Sequence, residues 1–376
     1  MAEKYFGEST PKLGFGLMRL PRVKGNENEI DIEQTSKMVD MFMEAGLTYF
    51  DTAFVYDGSE EAAKKALVDR YPRESYTLAT KLNAGFVGCR TAEDARKQLE
   101  ISLERTGAGY FDYYLLHALG KGNISKYDDF GIWDFVKEMK EKGLIKHWGF
   151  SFHDTPEFLD ELLTAHPDAE FVQLQINYAD WDNPSVQSRA CYEVARKHGK
   201  SIVVMEPVKG GALANPHQSV QDVFRAANPE MSVASWAIRF VASLDGILTV
   251  LSGMSSVQQM ADNLSYMADF KKLTQDELET IHKAQEALKN IESIPCTACH
   301  YCTEGCPMQI NIPAIFAARN KQLVFNLEKQ GQVDYNRVTT NRGKASECIA
   351  CGQCEAACPQ HIDIIDRLRE CAANFE

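Results

Sequence analysis

Eight of the eleven cysteines in this 376-residue chain fall into two runs of identical spacing. Each run has the form C-x2-C-x2-C-x3-C followed by proline; the members are Cys296, Cys299, Cys302 and Cys306, then Cys348, Cys351, Cys354 and Cys358. Thiolates at this spacing hold two [4Fe-4S] clusters, and the fourth cysteine of each run binds the cluster of the other run. The spacing therefore predicts one-electron redox chemistry in this part of the chain.

Zinc is the competing interpretation of these cysteines. Zinc sites usually combine one C-x2-4-C pair with a distant second pair, whereas here three cysteines recur at x2 spacing before a Cys-Pro, twice over. The pattern favours iron–sulfur clusters. Under the crossed rule, one cluster takes Cys296, Cys299, Cys302 and Cys358, and the other takes Cys348, Cys351, Cys354 and Cys306. The remaining cysteines, Cys89, Cys191 and Cys371, are not predicted ligands.

A second group of residues that could carry out catalysis precedes the cysteine runs and consists of Asp51, Tyr56, Lys81 and His117. Three of them stand at or near the ends of successive apolar runs, and Tyr56 follows Asp51 by five residues. A buried lysine beside an aspartate lowers the cost of burying both charges. An internal ion pair and a core histidine would explain these residues singly. Three such groups at successive strand ends, with a tyrosine on the loop after the first of them, indicate a catalytic site.

The elements that must position these groups alternate regularly. Predicted strands are Leu13–Met18, Thr48–Thr52, Tyr76–Leu82, Phe111–His117, Lys146–Ser151, Val172–Asn177, Ile202–Pro207 and Ile247–Leu251. Between them lie helical patterns, including Asp31–Ala45, Ser59–Arg70, Ala92–Arg105, Ile132–Lys142, Pro156–Ala165, Val186–His198 and Val233–Ala242. Such alternation predicts a parallel β/α fold. Because no Gly-x-Gly-x-x-Gly turn follows an early strand, we expect a closed (β/α)8 TIM barrel, with its catalytic groups at the carboxyl ends of the strands.

The segments around these polar residues resemble the signatures of the aldo-keto reductase superfamily. They are Phe50-Asp51-Thr52-Ala53 with Tyr56, Ala79-Thr80-Lys81 and Leu115-Leu116-His117, within a resemblance that covers about residues 10–290. The resemblance implies carbonyl reduction or alcohol oxidation with a nicotinamide cofactor bound without a Rossmann fold. The resemblance also implies that Tyr56 is the acid/base, that Lys81 and Asp51 lower the pKa of the tyrosine, and that His117 donates a hydrogen bond to the carbonyl oxygen.

The same resemblance implies an NAD(H) or NADP(H) site. The nicotinamide end corresponds to Ser151, Gln173 or Gln175, Asn177 and Tyr178. The pyrophosphate loop corresponds to Glu206, Pro207, Val208, Lys209, Gly210 and Gly211, and the adenosine end to Ser252, Gly253, Gln259 and Asn263. NADPH-using relatives usually carry a cation after the eighth strand, but residues 254–259 contain none. This departure favours NADH or weak discrimination, unless Lys209 supplies the charge.

The C-terminal region resembles an α-helical, two-cluster ferredoxin domain. The 41 residues between the cysteine runs contain the helical patterns Ile312–Gln322 and Val324–Gln330, and Ile362–Cys371 forms a third. We therefore predict two domains, a barrel at 1–290 and a ferredoxin-like domain at 291–376. Aldo-keto reductases with such a tail are associated with anaerobic bacteria and archaea.

Composition restricts the partners. A net charge of −13 argues against nucleic acid, and no membrane span or signal peptide is expected, so we predict a cytoplasmic protein with reduced thiols. The predicted partners are a small carbonyl or alcohol and a redox protein. Candidate substrate contacts, for which ordinary loop packing is an equal explanation, are Phe54, Phe86, Leu119 and Trp181.

Three functions fit the two regions. The first is carbonyl or alcohol chemistry coupled to electron transfer through the clusters. The second is a conventional reductase whose clusters stabilise the fold or sense redox conditions. The third is an electron-transfer module with incidental barrel activity, against which the complete set Asp51, Tyr56, Lys81 and His117 argues.

Overall fold

The computed structural model describes residues 4–6, 8–86, 88–183, 186–296, 298, 300–358 and 360–376. Eight parallel strands close into a barrel in which each strand pairs with its neighbours along the chain and the last pairs with the first. The barrel strands are β1 (Leu13–Gly16), β2 (Tyr49–Asp51), β3 (Thr77–Leu82), β4 (Phe111–Leu119), β5 (Ile145–Phe152), β6 (Phe171–Gln175), β7 (Ser201–Met205) and β8 (Ile247–Ser252). The predicted (β/α)8 architecture is confirmed.

Helices follow the strands, and helices also build the C-terminal region. Those up to the first cysteine run are α1 (Ile32–Glu44), α2 (Ser59–Ala63), α3 (Ala92–Thr106), α4 (Ile124–Asp129), α5 (Ile132–Glu141), α6 (Pro156–Ala165), α7 (Ser188–Lys197), α8 (Gln218–Ala227), α9 (Val233–Ser243), α10 (Val257–Met267) and α11 (Gln275–Lys289). The others are α12 (Tyr301–Glu304), α13 (Ile312–Phe325), α14 (Glu328–Thr339), α15 (Gln353–Ala356) and α16 (Ile364–Phe375). None of the described helices is long and apolar enough to cross a membrane.

Helix ends follow from local chemistry. The Asp31 carboxylate accepts from the Gln34 backbone N–H at 2.9 Å, which satisfies one free donor at the start of α1. Thr155 caps α6 in the same way, with Pro156 in the first turn. The left-handed residues Gly46, Gly143 and Gly199 end helical segments as expected. These signals lie within a few residues of each other, so the sequence alone displays them.

Two helix predictions need correction. The predicted helix Ser59–Arg70 is shorter, because α2 passes into a π-helical turn at Lys64–Val68. The predicted helix Val324–Gln330 is wrong, since α13 continues to Phe325 and the next helix starts at Glu328. Asn326 separates them with a φ of 53°, a left-handed conformation that asparagine tolerates better than most residues.

Two compact units are present. The first comprises Met1–Lys209 and Ser235–Leu278, and the second comprises Gly210–Ala234 and Glu279–Glu376. The predicted division at residue 290 stays a prediction. The barrel interior of the first unit contains an apolar cluster that includes Tyr49, Tyr113 and Phe171. The core of the second unit is apolar too. Cys302, Cys354 and Cys371 belong to it, and Cys296, Cys306, Cys348 and Cys358 pack against it.

The second unit contains an internal repeat at an offset of 52 residues, which is the spacing of the cysteine runs. Equivalent positions share left-handed backbone angles, as at Ala298 and Ala350, and at Gln309 and His361. Equivalent isoleucines are also buried: Ile310 with Ile362, and Ile312 with Ile364. The same sequence spacing therefore produces the same local backbone twice.

Candidate active site and cysteine cavities

The Lys81 ammonium is the centre of the barrel site. Its Nζ lies 2.5 Å from Asp51 Oδ1 and 2.6 Å from the Thr52 carbonyl oxygen. It also lies 5.0 Å from the centre of the Tyr56 ring. Lys81 is 1% exposed and Asp51 is 3% exposed. A lysine so deeply buried needs an anionic partner, and β2 and β3 supply it because they are adjacent and parallel.

His117 completes the set from β4. Its ring centre lies 5.7 Å from that of Tyr56, and the two rings meet edge to face. The backbone carbonyl of His117 accepts a hydrogen bond from the Tyr127 hydroxyl at 2.6 Å. The structure thus brings together all four residues that the sequence analysis selected, at the carboxyl ends of three neighbouring strands.

The pKa values of these groups are governed by burial and by Lys81. Burial lowers the pKa of Lys81, but Asp51 and Tyr56 outweigh it, so the net pKa is raised and the ammonium stays charged. Burial raises the pKa of Asp51, and Lys81 opposes that rise. Burial lowers the pKa of His117 to about 3, with smaller contributions from Lys81 and His153. His117 is therefore a neutral imidazole near neutral pH.

One electrostatic expectation is wrong for this site. We expected Lys81 to bring the pKa of Tyr56 below its ordinary value, but the pKa of Tyr56 is raised. Burial is the largest cause, Lys81 acts against it, and the charges of Asp51 and Glu206 add to the rise. Tyr56 is consequently a protonated phenol, which is the form that can give a proton away.

Of the residues inferred to hold the nicotinamide, Gln173 has a buried side-chain oxygen that a ligand could satisfy. It is 3% exposed on β6, and its Oε1 has no hydrogen-bond partner among the described residues. A buried carbonyl oxygen of this kind is costly unless a donor reaches it. The amide N–H2 of a nicotinamide is such a donor, so the residue fits the group. Ser151 is equally buried, and its Oγ accepts from the Ala118 N–H at 2.7 Å.

A buried aspartate that the sequence analysis missed organises several other predicted cofactor residues. Asp180 is 1% exposed and accepts from Gln175 Nε2 at 3.1 Å, from Asn177 Nδ2 at 2.8 Å and from Lys209 Nζ at 2.5 Å. Its only sequence signal is the spacing Asn177-x-x-Asp180 just past a strand. The pairing holds Lys209 on Asp180, away from the role of phosphate cation considered above.

The remaining predicted cofactor residues take ordinary positions. Tyr178 and Pro207 are buried, and Gly210 and Gly211 have φ angles of 65° and 98°, which only glycine adopts readily. Ser252 Oγ donates to Asn263 Oδ1 at 2.7 Å. The Ser255 N–H donates to Gln259 Oε1 at the same distance, which fixes the turn after β8. Gly253 lies within that turn.

The candidate substrate contacts divide into two pairs. Phe54 and Phe86 lie together with ring centres 6.4 Å apart, and Phe86 is 44% exposed. Leu119 is fully buried, and Trp181 packs against Tyr192 and Phe240. Phe54 and Phe86 therefore give the barrel mouth an apolar edge, whereas Leu119 lies in the interior and Trp181 is half-buried against neighbouring rings.

Two cavities in the second unit gather the cysteines of both runs. One is lined by Cys296, Cys302 and Cys358, together with Ile312, Phe316 and other apolar residues. The other is lined by Cys306, Cys348, Cys351 and Cys354, with Ile310 and Leu368. In each cavity the last cysteine of one run meets the earlier cysteines of the other. Cys299 lies outside the described residues.

Thiols around an apolar cavity fit a cluster better than a single ion. A [4Fe-4S] cluster is larger than an ion and takes its four thiolates from around a cavity. The donor set, which is all sulfur, suits iron–sulfur chemistry.

Comparison with known proteins decides the family. Residues 12–286 match the aldo/keto reductase family, and residues 295–362 match a 4Fe-4S dicluster domain. The chain belongs to the aldo/keto reductase family. An aldo-keto reductase of Mycobacterium sp. is 28% identical to this chain, and the match covers 75% of this chain and 90% of the relative's own length. The L-galactose dehydrogenase of Arabidopsis thaliana is 24% identical over 77% of this chain and 93% of its own.

Solved structures support the fold of this aldo-keto reductase. The holo form of an aldo-keto reductase from Bacillus halodurans superposes with a TM-score of 0.61 at 23% identity, covering 76% of this chain and 97% of that chain. An aldo-keto reductase from Klebsiella pneumoniae in complex with NADPH gives 0.58 at 20% identity, covering 75% and 95%. The protein is thus an oxidoreductase whose barrel is followed by a 4Fe-4S dicluster domain.

A second residue that the sequence analysis missed braces the loop that carries Tyr56 in this aldo-keto reductase. Glu60 is 1% exposed, and its carboxylate accepts from Thr80 Oγ1 at 2.8 Å and from Arg105 at 3.3 Å. Arg105 also donates to the Phe54 carbonyl at 3.1 Å and lies 4.8 Å from the centre of that ring. Glu60 therefore ties the loop that carries Tyr56 to the strand that carries Lys81.

Replacing Glu60 with leucine is expected to lower the free energy of unfolding by about 2–3 kcal/mol, because Thr80 and Arg105 lose a charged acceptor. Thermal unfolding of the purified protein measures the effect. Glu61→Gln is the control, since the Glu61 carboxylate also pairs with Arg105, at 3.4 Å, but its side chain is 49% exposed. Equal unfolding temperatures for the two variants would show that Glu60 is not a brace.

His117 is expected to make stability depend on pH. Its pKa is about 3 in the folded protein and near 6.5 when unfolded, so the unfolded state binds more protons between these values. The free energy of unfolding therefore falls as the pH drops below about 6.5, by up to roughly 1.4 kcal/mol per pH unit, because folding keeps this imidazole neutral. Unfolding midpoints of wild type should fall more steeply between pH 6.5 and 5 than those of His117→Gln. His282→Gln, on the exposed side of α11, should keep the wild-type slope.

Proposed function

We propose that this protein is a nicotinamide-dependent oxidoreductase that interconverts a small carbonyl and its alcohol, with Tyr56 as the acid/base. The observation that carries the proposal is the buried Lys81 ammonium, 2.5 Å from Asp51 and facing the Tyr56 ring. A cation fixed beside a buried phenol stabilises the phenolate that forms when the phenol gives up its proton. Such a site suits proton transfer to a carbonyl oxygen.

Each residue of the site has a distinct proposed role in the reaction. The protonated Tyr56 gives its proton to the carbonyl oxygen during reduction and takes it back during oxidation. Lys81, kept charged by Asp51, stabilises the phenolate left behind. Neutral His117 donates a hydrogen bond that orients and polarises the carbonyl. NAD(H) or NADP(H) supplies or accepts the hydride at this site when bound. Gln173 and Ser151 are proposed to hold the nicotinamide amide.

We propose that the two cysteine cavities hold two [4Fe-4S] clusters that exchange single electrons with a redox partner. Cys351 is exposed at the second cavity, and its neighbour Ile349 is 61% exposed. A thiolate ligand at the surface offers a partner protein close approach to the cluster site. The remaining proposed ligands are Cys296, Cys299, Cys302, Cys306, Cys348, Cys354 and Cys358.

A conventional reductase with structural or redox-sensing clusters is the second candidate. The observation in its favour is that Cys302 and Cys354 belong to the apolar core of the second unit, at 7% and 9% exposure. Groups bound at such positions contribute directly to folding. Anaerobic addition of NADH or NADPH separates the two candidates. Reduction of the iron–sulfur absorbance and EPR signals supports coupling, whereas carbonyl turnover with oxidised clusters supports the structural role.

Tyr56→Phe tests the barrel chemistry. We expect kcat for carbonyl reduction to fall by about 10²–10⁴, because the variant removes the proton donor and keeps the ring. The KM for the nucleotide should change little, since the hydroxyl faces the carbonyl. Aldehyde-dependent oxidation of NADPH or NADH under anaerobic conditions is the assay. A variant with unchanged kcat would exclude Tyr56 as the acid.

A further inference from the structure

The strand that carries His117 contains a bulge at that residue. The register of β4 against β5 shifts between Leu116 and Leu119. Two residues of β4, His117 and Ala118, therefore face a single residue of β5. Ala118 has a φ of 56°, a left-handed conformation that is unfavourable for a residue with a Cβ. Because a bulge changes the direction in which a side chain leaves its strand, neighbouring groups must hold this backbone if His117 is to keep its direction.

Three side chains bind the peptide groups on either side of Ala118. The Tyr127 hydroxyl donates to the His117 carbonyl oxygen at 2.6 Å. In the same peptide group, the Ala118 N–H donates to Ser151 Oγ at 2.7 Å. In the next peptide group, the Ala118 carbonyl oxygen accepts from Asn123 Nδ2 at 2.9 Å. These bonds fix the left-handed conformation from both of its ends.

The Tyr127 hydroxyl joins this bulge to a second strand of the site. Tyr127 is fully buried on α4, and its hydroxyl also accepts from the Ala84 N–H at 3.3 Å. Ala84 follows β3, the strand that carries Lys81. Burial raises the pKa of Tyr127, so the hydroxyl keeps its proton and donates the hydrogen bond to His117. One phenol therefore ties the backbone of His117 to the loop after the strand of Lys81.

The described residues give the His117 imidazole no hydrogen bond at Nδ1, which is a buried atom. A catalytic histidine is commonly oriented by a hydrogen bond at the ring nitrogen that does not face the reaction. In this protein the direction of the ring is set by the backbone of the bulge and by contact with the Tyr56 ring, whose centre lies 5.7 Å away.

We propose that Tyr127 is a positioning residue for the reaction at the barrel mouth, whose hydroxyl holds the bulge that directs the His117 imidazole at the substrate carbonyl. The inference rests on the proposed function, because it assumes that His117 donates a hydrogen bond to that carbonyl. Tyr127 touches neither the substrate nor the nucleotide in this proposal and acts through His117 alone.

The test is a double-mutant cycle between Tyr127→Phe and His117→Gln in the anaerobically purified full chain. The assay is reduction of para-nitrobenzaldehyde with whichever of NADPH and NADH wild type binds more tightly. Tyr127→Phe is expected to lower kcat about tenfold, because misplaced catalytic groups lose rate steeply, and to change nucleotide affinity less than about twofold. In the His117→Gln background the same substitution should change kcat less than about twofold, since the group that it positions is gone.

Two further variants separate positioning from folding. Tyr114→Phe is the matched control, because Tyr114 lies on β4, is 1% exposed and has a hydroxyl without a hydrogen-bond partner among the described residues. Its kcat should equal that of wild type. Adding Ala118→Gly to Tyr127→Phe should restore most of the lost kcat, since glycine adopts the left-handed conformation without steric cost. A role in folding alone would lower the unfolding temperature without separating kcat from nucleotide affinity.

An unchanged kcat in Tyr127→Phe, or equal losses of kcat from Tyr127→Phe in both backgrounds, would overturn the proposal. If Tyr127→Phe does not fold, Asn123→Ala takes its place in the cycle with the same expected results, because it releases the Ala118 carbonyl from the other side of the bulge. Failure of the proposed function gives a different result. His117→Gln would then leave kcat unchanged, and the role of Tyr127 would fall with that of His117.

Discussion

Replacing Lys81 with methionine is expected to lower kcat by about 10³ or more, which is the upper range for loss of acid–base catalysis. Methionine fills similar space but supplies no charge to the Tyr56 phenolate. The same change leaves Asp51 buried without its cation, so stability should fall by about 3–5 kcal/mol. Single-turnover kinetics and thermal unfolding measure the two effects separately.

A double variant separates catalysis from folding. Lys81→Met with Asp51→Asn removes both charges, and the pair is 1% and 3% exposed, so most of the lost stability should return. Activity should stay low, because the phenolate still lacks a cation. Recovery of activity together with stability would mean that Lys81 acts only as a structural ion pair, and would remove the basis of the proposed mechanism.

Pairs of cysteine variants are expected to distinguish crossed from uncrossed cluster ligands. The cavities place Cys306 with Cys348, Cys351 and Cys354, and place Cys302 with Cys358. Under crossed ligation, Cys306→Ser with Cys348→Ser disrupts one cluster, and the chain should retain about four of about eight irons. Cys306→Ser with Cys302→Ser disrupts both clusters, and little iron should remain.

Uncrossed ligation predicts the reverse iron contents for the same two double variants, so iron and sulfide analysis after anaerobic purification decides between them. Cys371→Ala is the control, because Cys371 is buried and lines neither cysteine cavity. Its iron content should equal that of wild type. Loss of all iron in every variant, including the control, would indicate failure of the whole unit to fold rather than loss of specific ligands.

The sequence was most informative where chemistry and spacing are local. All eight barrel strands were predicted, because each is a short run rich in β-branched or aromatic residues that alternates with a longer amphipathic segment. Asp51, Lys81 and His117 were selected by their positions in those runs, and adjacent parallel strands bring such positions together. The repeated cysteine spacing likewise predicted the dicluster domain.

Tertiary structure decided the features that depend on distant neighbours. Glu60 gives no local sequence signal, and Asp180 gives only its spacing from Asn177. Yet Glu60 braces the loop that carries Tyr56, and Asp180 holds Lys209. The direction of the Tyr56 pKa shift was mispredicted because burial, a sum over the whole barrel, outweighs the one cation beside it. The hydrogen bond from the Ser255 hydroxyl to the Arg19 carbonyl oxygen also required the closed barrel, since 236 residues separate the two along the chain. Spacing along the chain thus determined which chemistries this protein carries, and barrel closure decided which side chains support them.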